Sequence, residues 1–249
     1  MIIIKNNKEI DLMRSAGKIV AETLLLIEEK VRPGITTAEL DSIAEEFITK
    51  HGARPSFKGL YGFPASLCIS VNEQVVHGIP GGYVLKDGDI VSVDCGANIN
   101  GFHGDAARTF GVGNITKEAE KLINVTRESF FKGIEYAKVG NRLTDISHEI
   151  QNCVEAAGFS VVRDFVGHGI GRVVHEDPDI PNYGPPGRGP KLVEGMALAI
   201  EPMVNAGNYK VKTLSNDWTV VTSDGSLSAH YENTIVILPD GPEILTLIR

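Results

Sequence analysis

The stretch IVSVDCGANINGFHGD (residues 90–105) joins an apolar run to a turn and carries a carboxylate on each side of that turn. Asp94 ends a run in which both alternating faces are mostly apolar, a pattern that predicts a strand buried on both sides. Asn100 and Gly101 form the strongest two-residue hairpin signal in the chain. Because burying an unpaired carboxylate is costly unless it takes up a proton, something must compensate Asp94 and Asp105.

We expect the hairpin to be centred between Ile99 and Asn100, which would place Asp94 directly opposite Asp105 with their Cβ atoms roughly 5 Å apart. Two carboxylates at that distance repel, and the pKa of one rises unless a cation lies between them. A bound metal or a shared proton would remove this repulsion. For two aspartates taken alone, the commoner alternative is that Asp94 caps a strand end and Asp105 faces solvent.

The rest of the chain alternates between helical and strand-like segments. Apolar residues at helical spacing predict an amphipathic helix over residues 7–30. Thr36 and Glu39 form a capping-box pattern that opens a second helix, closed near Gly52. The remaining segments are strand-like at 56–110, helical at 117–137 and 143–157, and strand-like again at 161–248 with a Pro/Gly-rich loop at 178–190.

The same order of elements occurs twice, and the two halves also match in sequence. At an offset of 107 residues, LKDGDIVSVD (85–94) lies over LVEGMALAIE (192–201), which equates Asp94 with Glu201. We therefore predict a single catalytic domain, residues 1–249, built from two similar halves at roughly 1–115 and 116–249. Such halves would place their functional residues in one central cleft.

Two further carboxylates fit that cleft. Glu201 follows the apolar run MALAI, and Glu232 lies in the β-pattern HYENTIVIL, where it shares a face with Thr234 and Val236. A shared proton can settle two neighbouring carboxylates but not four. Two divalent cations would make the cluster nearly neutral, so the sequence favours a metal site.

Three histidines lie in apolar or glycine-rich surroundings: His77, His168 and His175. An isolated histidine is more often a satisfied polar group than a ligand, but three beside a carboxylate cluster favour ligation. The string GHGIG (167–171) is not expected to bind phosphate, because prolines and no helical pattern follow it. Oxygen and imidazole donors suit Mn, Fe or Co, and a pair of such ions activates water for hydrolysis of an amide or a phosphate ester. No role is assigned to His51, His103 and His148.

Composition excludes several classes of protein. With 24 basic and 32 acidic side chains, the formal charge of −8 argues against general nucleic-acid binding and favours a neutral amide substrate. No apolar run approaches the ~20 residues of a membrane helix, and the N-terminal isoleucines are too few for a signal-peptide core. Three cysteines without metal-type spacing indicate reduced thiols. We expect a soluble cytoplasmic protein that contacts neither membrane nor nucleic acid.

The ordered motifs VVHGIP, VSVDCG, GFHGD, GHGIGRVVHEDP, AIEPM and HYENT resemble the type I methionine aminopeptidases over essentially the whole chain. The resemblance implies an α/β (α+β) "pita-bread" fold, with two pseudo-two-fold-related halves, a central curved and largely antiparallel sheet, and helices outside. It implies metal-dependent removal of the initiator methionine from nascent proteins whose second residue is small. It also implies a monomer, and it makes the ribosome a partner to be tested.

Carried over position by position, the resemblance implies two divalent ions. Asp94 and Asp105 would bind one, and Asp105, His168, Glu201 and Glu232 the other, with Asp105 and Glu232 bridging. A hydroxide between the ions would attack the scissile peptide carbonyl, with Glu201 as proton shuttle. His77 and His175 would contact the substrate and stabilise the tetrahedral intermediate.

The resemblance also assigns a pocket and a second kind of ion. Phe57, Phe63, Cys68 and Trp218 would line the methionine pocket, which suits an unbranched thioether. The loop of Asn72 and Gln74, together with Ser228, matches a site for one Na⁺ or K⁺ ion built from backbone carbonyls.

Four positions depart from the family pattern: Leu60 stands in place of a frequent tyrosine, Val174 in place of an aromatic residue, and His230 and Asn233 in place of glutamine and histidine. Glu201 and Glu232 are 31 residues apart, which leaves no room for the helical insertion of type II enzymes. Two alternatives remain. A proline-specific aminopeptidase or dipeptidase of the same fold usually has a separate N-terminal domain, and a non-catalytic binding protein of this fold has lost its ligand residues.

Overall fold

The computed structural model describes residues 1–248 and combines four helices with fifteen short antiparallel strands in that part of the chain. The helices are α1 (Asn7–Lys30), α2 (Thr37–Lys50), α3 (Lys117–Ile134) and α4 (Leu143–Ala156). The strands of the first half are β1 (Arg54–Pro55), β2 (Leu67–Val71), β3 (Gln74–Val76), β4 (Ile90–Ile99) and β5 (Phe102–Gly111). Those of the second half are β6 (Ser160–Val161), β7 (Gly167–Gly169), β8 (Glu176–Ile180), β9 (Ala197–Ile200), β10 (Met203–Asn205), β11 (Val211–Thr213), β12 (Val220–Thr222), β13 (Ser228–His230), β14 (Asn233–Leu238) and β15 (Gly241–Ile244). The predicted α/β class and antiparallel pairing are confirmed.

Local sequence signals determine where the helices begin. The Thr36 hydroxyl accepts a hydrogen bond from the Glu39 amide, and the Glu39 carboxylate accepts one from the Thr36 amide, which is the predicted capping box. A second capping box, Asn6 with Glu9, opens α1. Helix α3 ends at Ile134, before the predicted end at residue 137.

The hairpin of β4 and β5 has a different register from the predicted one. Ile99 pairs with Phe102, and Asn100 and Gly101 form the two-residue loop with φ of 55° and 81°. Positive φ at both positions is the type I′ geometry for which Asn-Gly is favoured. Asp94 is therefore opposite Ala107, and the predicted Asp94–Asp105 pair is wrong. Asp94 also lies in the middle of β4 rather than at a strand end.

Both aspartates nevertheless face the same side of the hairpin. Asp105 is opposite Gly96, and Gly96 points to the same face as Asp94 because side chains alternate along a strand. The two carboxylates are diagonal neighbours, still within reach of one another.

Segments from the two halves of the chain meet along β5. The Ala107 amide donates to the Glu232 carbonyl at 3.3 Å, and the Glu232 amide donates back to Ala107 at 3.0 Å. Next to this bridge, the Thr234 hydroxyl accepts from the Asp105 amide and donates to the Asp105 carbonyl. Residues 105 and 232 are therefore fixed side by side.

A five-stranded sheet, in the order β15-β14-β9-β7-β8, brings the other acidic and imidazole groups to the same place. His168 on β7 and Thr234 on β14 both pair with Ala199 of the central strand β9. Glu201 follows β9 directly. This sheet thus places His168, Glu201 and Glu232 beside the aspartate hairpin.

Helices cover these sheets and bury their apolar faces. Helix α1 packs on β4 and β5, and the approach is close, since a Cβ at Gly104 would lie 2.8 Å from the backbone nitrogen of Gly17. Helices α3 and α4 pack against each other in the second half. Within residues 1–248, no helix has the length and apolar character that a bilayer crossing requires.

Candidate metal centre and substrate pocket

The five predicted metal ligands line one cavity of about 480 Å³: Asp94, Asp105, His168, Glu201 and Glu232. The hairpin supplies the two aspartates, and the five-stranded sheet with its connections supplies the other three residues. The side chains of Asp105 and Glu232 are almost entirely buried, at 3% and 2% exposure. The sequence pattern therefore led to residues that the fold brings together from four separate segments.

Burial makes ionisation of these acids unfavourable in the protein alone. Desolvation raises the pKa of Asp94 to about 7, an effect partly offset by His230 and increased by Glu201. Desolvation, and then the Asp94 charge, holds the pKa of Asp105 well above its usual range. The pKa values of Glu201 and Glu232 are raised in the same direction, again mainly by desolvation. Ionised together, the four groups would need a positive partner.

Several buried ligand atoms have no hydrogen-bond partner among the described residues. They include Oδ1 of Asp94, Oδ1 of Asp105 and Oε1 of Glu232. A buried polar atom without a partner is costly, and a cluster of unpartnered carboxylate oxygens suits divalent cations. The residues present therefore fit a metal centre.

His168 is oriented for ligation. Its Nδ1 is 2.9 Å from the Gly169 carbonyl, which accepts a hydrogen bond from Nδ1–H and leaves Nε2 facing the cluster. This Nε2 is 3.6 Å from Oε1 of Glu201. Desolvation, followed by His175, lowers the pKa of His168 to about 4. The imidazole is thus neutral near pH 7, the form that binds metal ions.

The two other predicted histidines also line the cavity. The His175 ring lies 4.6 Å from the His168 ring and stacks on Tyr61 at 6.0 Å, toward the open side. His77 adopts φ of 58° and presents its ring edge-on to Phe165 and Trp218. Both rings therefore border the space between the carboxylates and the aromatic wall.

An apolar cluster forms that wall. Phe57, Phe63 and Cys68 are buried in it, and Trp218 packs edge-on against Phe63 with 5.0 Å between ring centroids. Leu60 and Val174, two of the positions that depart from the family pattern, belong to the same cluster. All four predicted pocket residues are thus adjacent to the carboxylates.

The residues of the predicted monovalent-cation site are also close together. The Ser228 amide donates to the Asn72 carbonyl at 2.9 Å. The Asn72 side chain bonds Asp89 and the Ile90 amide, and the Gln74 side-chain oxygen accepts from the Val71 amide. Both amide side chains are thus held by hydrogen bonds within the chain.

Three histidines without an assigned role lie outside the cavity, each beside a local partner: His51 with Phe47, His103 with Ser56 and His148 with Gly184. His230 is different. In the sequence, His230 is only a departure from the family pattern. In the structure, its Nε2 lies 3.6 Å from Glu201 and 3.8 Å from Glu232. One sequence signal points to it, because His230 and Glu232 are two residues apart in a β-pattern.

Comparison with known proteins agrees with this geometry. Residues 11–239 match metallopeptidase family M24. A methionine aminopeptidase of Clostridium perfringens is 78% identical over 249 residues, covering all of both chains. A crystal structure of methionine aminopeptidase from Thermotoga maritima superposes with a TM-score of 0.98 at 49% identity, again over all of both chains.

The chain therefore belongs to metallopeptidase family M24 and, within that family, to the methionine aminopeptidases. The proline-specific alternative is not favoured. The prolidase of Pyrococcus furiosus has a TM-score of 0.82 but only 23% identity, and the match covers 66% of that longer chain. That likeness shows the shared fold alone.

Proposed function

We propose that this enzyme hydrolyses the peptide bond after an N-terminal methionine when the second residue is small. The observation that carries the proposal is the junction of two surfaces in one cavity. Buried carboxylate oxygens that have no hydrogen-bond partner within residues 1–248 meet an apolar aromatic cluster. The first suits cations that act on a peptide bond, and the second suits an unbranched thioether side chain.

Two divalent ions would occupy the cluster. Asp94 and Asp105 would hold one, and Asp105, His168, Glu201 and Glu232 the other, with Asp105 and Glu232 shared. When bound, such ions polarise a carbonyl and lower the pKa of water. Mn, Fe or Co suit this mixture of carboxylates and imidazole better than a thiolate-preferring ion.

The protein's own residues would position the substrate and move its proton. The methionine side chain would enter between Phe63, Cys68 and Trp218. His175, on the open side of the cavity, and His77, beside Trp218, would donate hydrogen bonds to the carbonyl oxygen as it gains charge. Glu201 would accept a proton from the attacking water and deliver it to the leaving amine.

The proposal has three further parts. A monovalent ion at the carbonyls near Asn72, Gln74 and Ser228 would stiffen the loop that follows β2. We also propose that the enzyme acts as a monomer. Because its substrate would be a nascent N-terminus, we propose that it acts in the cytoplasm, on chains emerging from the ribosome. The domain would be a single unit with two similar halves, residues 1–115 and 116–249.

The test compares Met-Ala-Ser, Met-Leu-Ser and Ala-Pro-Ala peptides with added Mn²⁺ or Co²⁺. We expect release of methionine from Met-Ala-Ser and far less from Met-Leu-Ser. Release of alanine from Ala-Pro-Ala without methionine release would overturn the proposal in favour of a proline-specific enzyme. Absence of turnover with either ion would favour a binding protein.

A further inference from the structure

His230 is the last residue of β13, and its side chain is buried at the edge of the carboxylate cluster. Only 2% of its surface is exposed. Its backbone is held on both sides by one residue, since its amide donates to the Thr109 hydroxyl and its carbonyl accepts from the same hydroxyl. The position of the ring relative to the cluster is therefore fixed by the two strands.

The Nε2 atom of His230 is buried and has no hydrogen-bond partner among residues 1–248. Its nearest charged neighbours, Oε2 of Glu201 at 3.6 Å and Oε2 of Glu232 at 3.8 Å, are too far for a direct hydrogen bond. A buried ring nitrogen that faces two carboxylates without bonding either one is explained by a third group between them, an ion or a water.

Those separations suit a cation. Metal–ligand distances of about 2.0–2.2 Å place two ligands of one ion up to about 4.2 Å apart. The 3.6 Å and 3.8 Å spacings around His230 lie within that range. A bound ion would then satisfy the nitrogen and both oxygens together.

The cluster contains two donor sets of the same composition. One is Asp105, His168 and Glu232, and the other is Glu201, His230 and Glu232; in each, all ligand atoms lie within 4.8 Å of one another. Each set offers one imidazole and two carboxylates, and Glu232 belongs to both. His168 and His230 thus have similar positions, since the Nε2 atom of each lies 3.6 Å from a different carboxylate oxygen of Glu201.

We propose that His230 is a further residue of the metal centre, supplying a second imidazole nitrogen to an ion held by Glu201 and Glu232. The inference deepens the proposed function and rests on it. A second imidazole makes the donor set softer, which favours Fe²⁺ or Co²⁺ over Mg²⁺ or Mn²⁺ at this position. The ligand set would then contain six residues rather than five.

The experiment loads the full chain with Co²⁺ and measures the X-ray absorption fine structure at the cobalt edge, with binding followed by calorimetry. His230→Gln keeps a polar side chain of similar size but removes the imidazole. His148→Gln is the matched control, because His148 lies outside the cavity beside Gly184. We expect outer-shell imidazole scattering to correspond to two rings per two ions in the wild type and in the control.

In His230→Gln that scattering should fall to one ring per two ions, and the affinity of one site should drop by about 10-fold or more. One ring per two ions in the wild type would overturn the inference even if the variant failed to fold. Unchanged scattering and affinity in a folded variant would do the same. In either case, two bound ions and cleavage of Met-Ala-Ser by the wild type would still support the proposed function. A wild type that bound no cobalt would overturn both the inference about His230 and the proposed function.

Discussion

Two regions of this protein contain buried acids that are neutralised in different ways. Glu176, at the start of β8, accepts from the Lys5 ammonium at 2.6 Å and from the Arg172 amide at 2.8 Å. Both of its oxygens have partners supplied by the chain. The carboxylates of the candidate metal centre instead include oxygens that have no hydrogen-bond partner among the described residues. In the first region the chain itself supplies the partners of the acid, whereas the second is a cluster able to bind metal ions.

Arg108 makes the contrast sharper. Its side chain is partly buried, and it donates to the carbonyls of Ala107 and Glu232 and to the Asn233 side-chain oxygen. It also stacks over Tyr231. Arg108 therefore bonds the backbone beside the carboxylate cluster rather than the carboxylates themselves. Asn233, one of the departures from the family pattern, takes part in this bracing.

The largest effect should follow Asp105→Asn, which removes a charge that both ions would share. We expect turnover of Met-Ala-Ser to fall by more than the ~10²–10³-fold that loss of one oxyanion-stabilising donor costs. The metal-free protein should stay folded and become slightly more stable near pH 7, because the variant removes a buried acid whose ionisation is penalised mainly by desolvation. Peptide assays and thermal melts measure the two effects.

The control for that variant is Asp240→Asn, since Asp240 is exposed at the turn between β14 and β15. It should change neither property. Full activity in Asp105→Asn would remove this residue from the mechanism. It would also indicate that the acids of the candidate metal centre, like Glu176, are neutralised within the chain.

Lys5→Met tests the other region. Loss of one partner leaves Glu176 buried without its cation, which should lower the free energy of unfolding by about 3–5 kcal/mol. Urea denaturation of the metal-loaded protein measures this. In the double variant Lys5→Met/Glu176→Gln, most of the loss should be recovered, because no buried charge remains. If the single variant were as stable as the wild type, the pair would not be the neutralising contact described above.

His175→Ala connects the two regions, because His175 directly precedes the paired Glu176 and lines the cavity. Turnover should fall by ~10²-fold or more if its hydrogen bond stabilises the oxyanion. Calorimetry should show little change in bound metal. A parallel loss of metal affinity would contradict this and would make His175 part of the ligand set.

Much of this site follows from the sequence, and the errors have physical causes. The Asn100-Gly101 signal located the hairpin but not its centre, because the two residues themselves occupy the loop rather than flank it. The error moved the partner of Asp94 by two residues, from Asp105 to Ala107. Because side chains alternate along a strand, a shift of two residues leaves both carboxylates on the same face. The predicted metal site therefore does not depend on the exact register.

Other features could not be read from local patterns. The bridge between Ala107 and Glu232 joins residues far apart in sequence, and no periodicity shows which strands of the two halves will meet. The Lys5–Glu176 pair is equally remote along the chain. His230 was within reach, since extending the face of Glu232, Thr234 and Val236 by one step toward the N-terminus leads to it. The resemblance to the family hides this signal, because it relates His230 to the glutamine of the family pattern and not to its neighbours along the strand.

The smallest effect concerns metal removal and pH. In the metal-free fold, burial raises the pKa of Asp94 from about 3.8 to about 7. A group whose folded pKa is raised contributes stability that is present below its unfolded pKa and is lost as pH rises through the folded value. Chelated protein should therefore lose about 1 kcal/mol per pH unit between pH 5 and 7 for each carboxyl that remains protonated. Metal-loaded protein should not, because its ions hold the carboxylates ionised, so the difference in melting temperature between the two forms should widen as pH rises. Melting curves that stayed parallel from pH 5 to 8 would show that these acids, like Glu176, are neutralised within the chain.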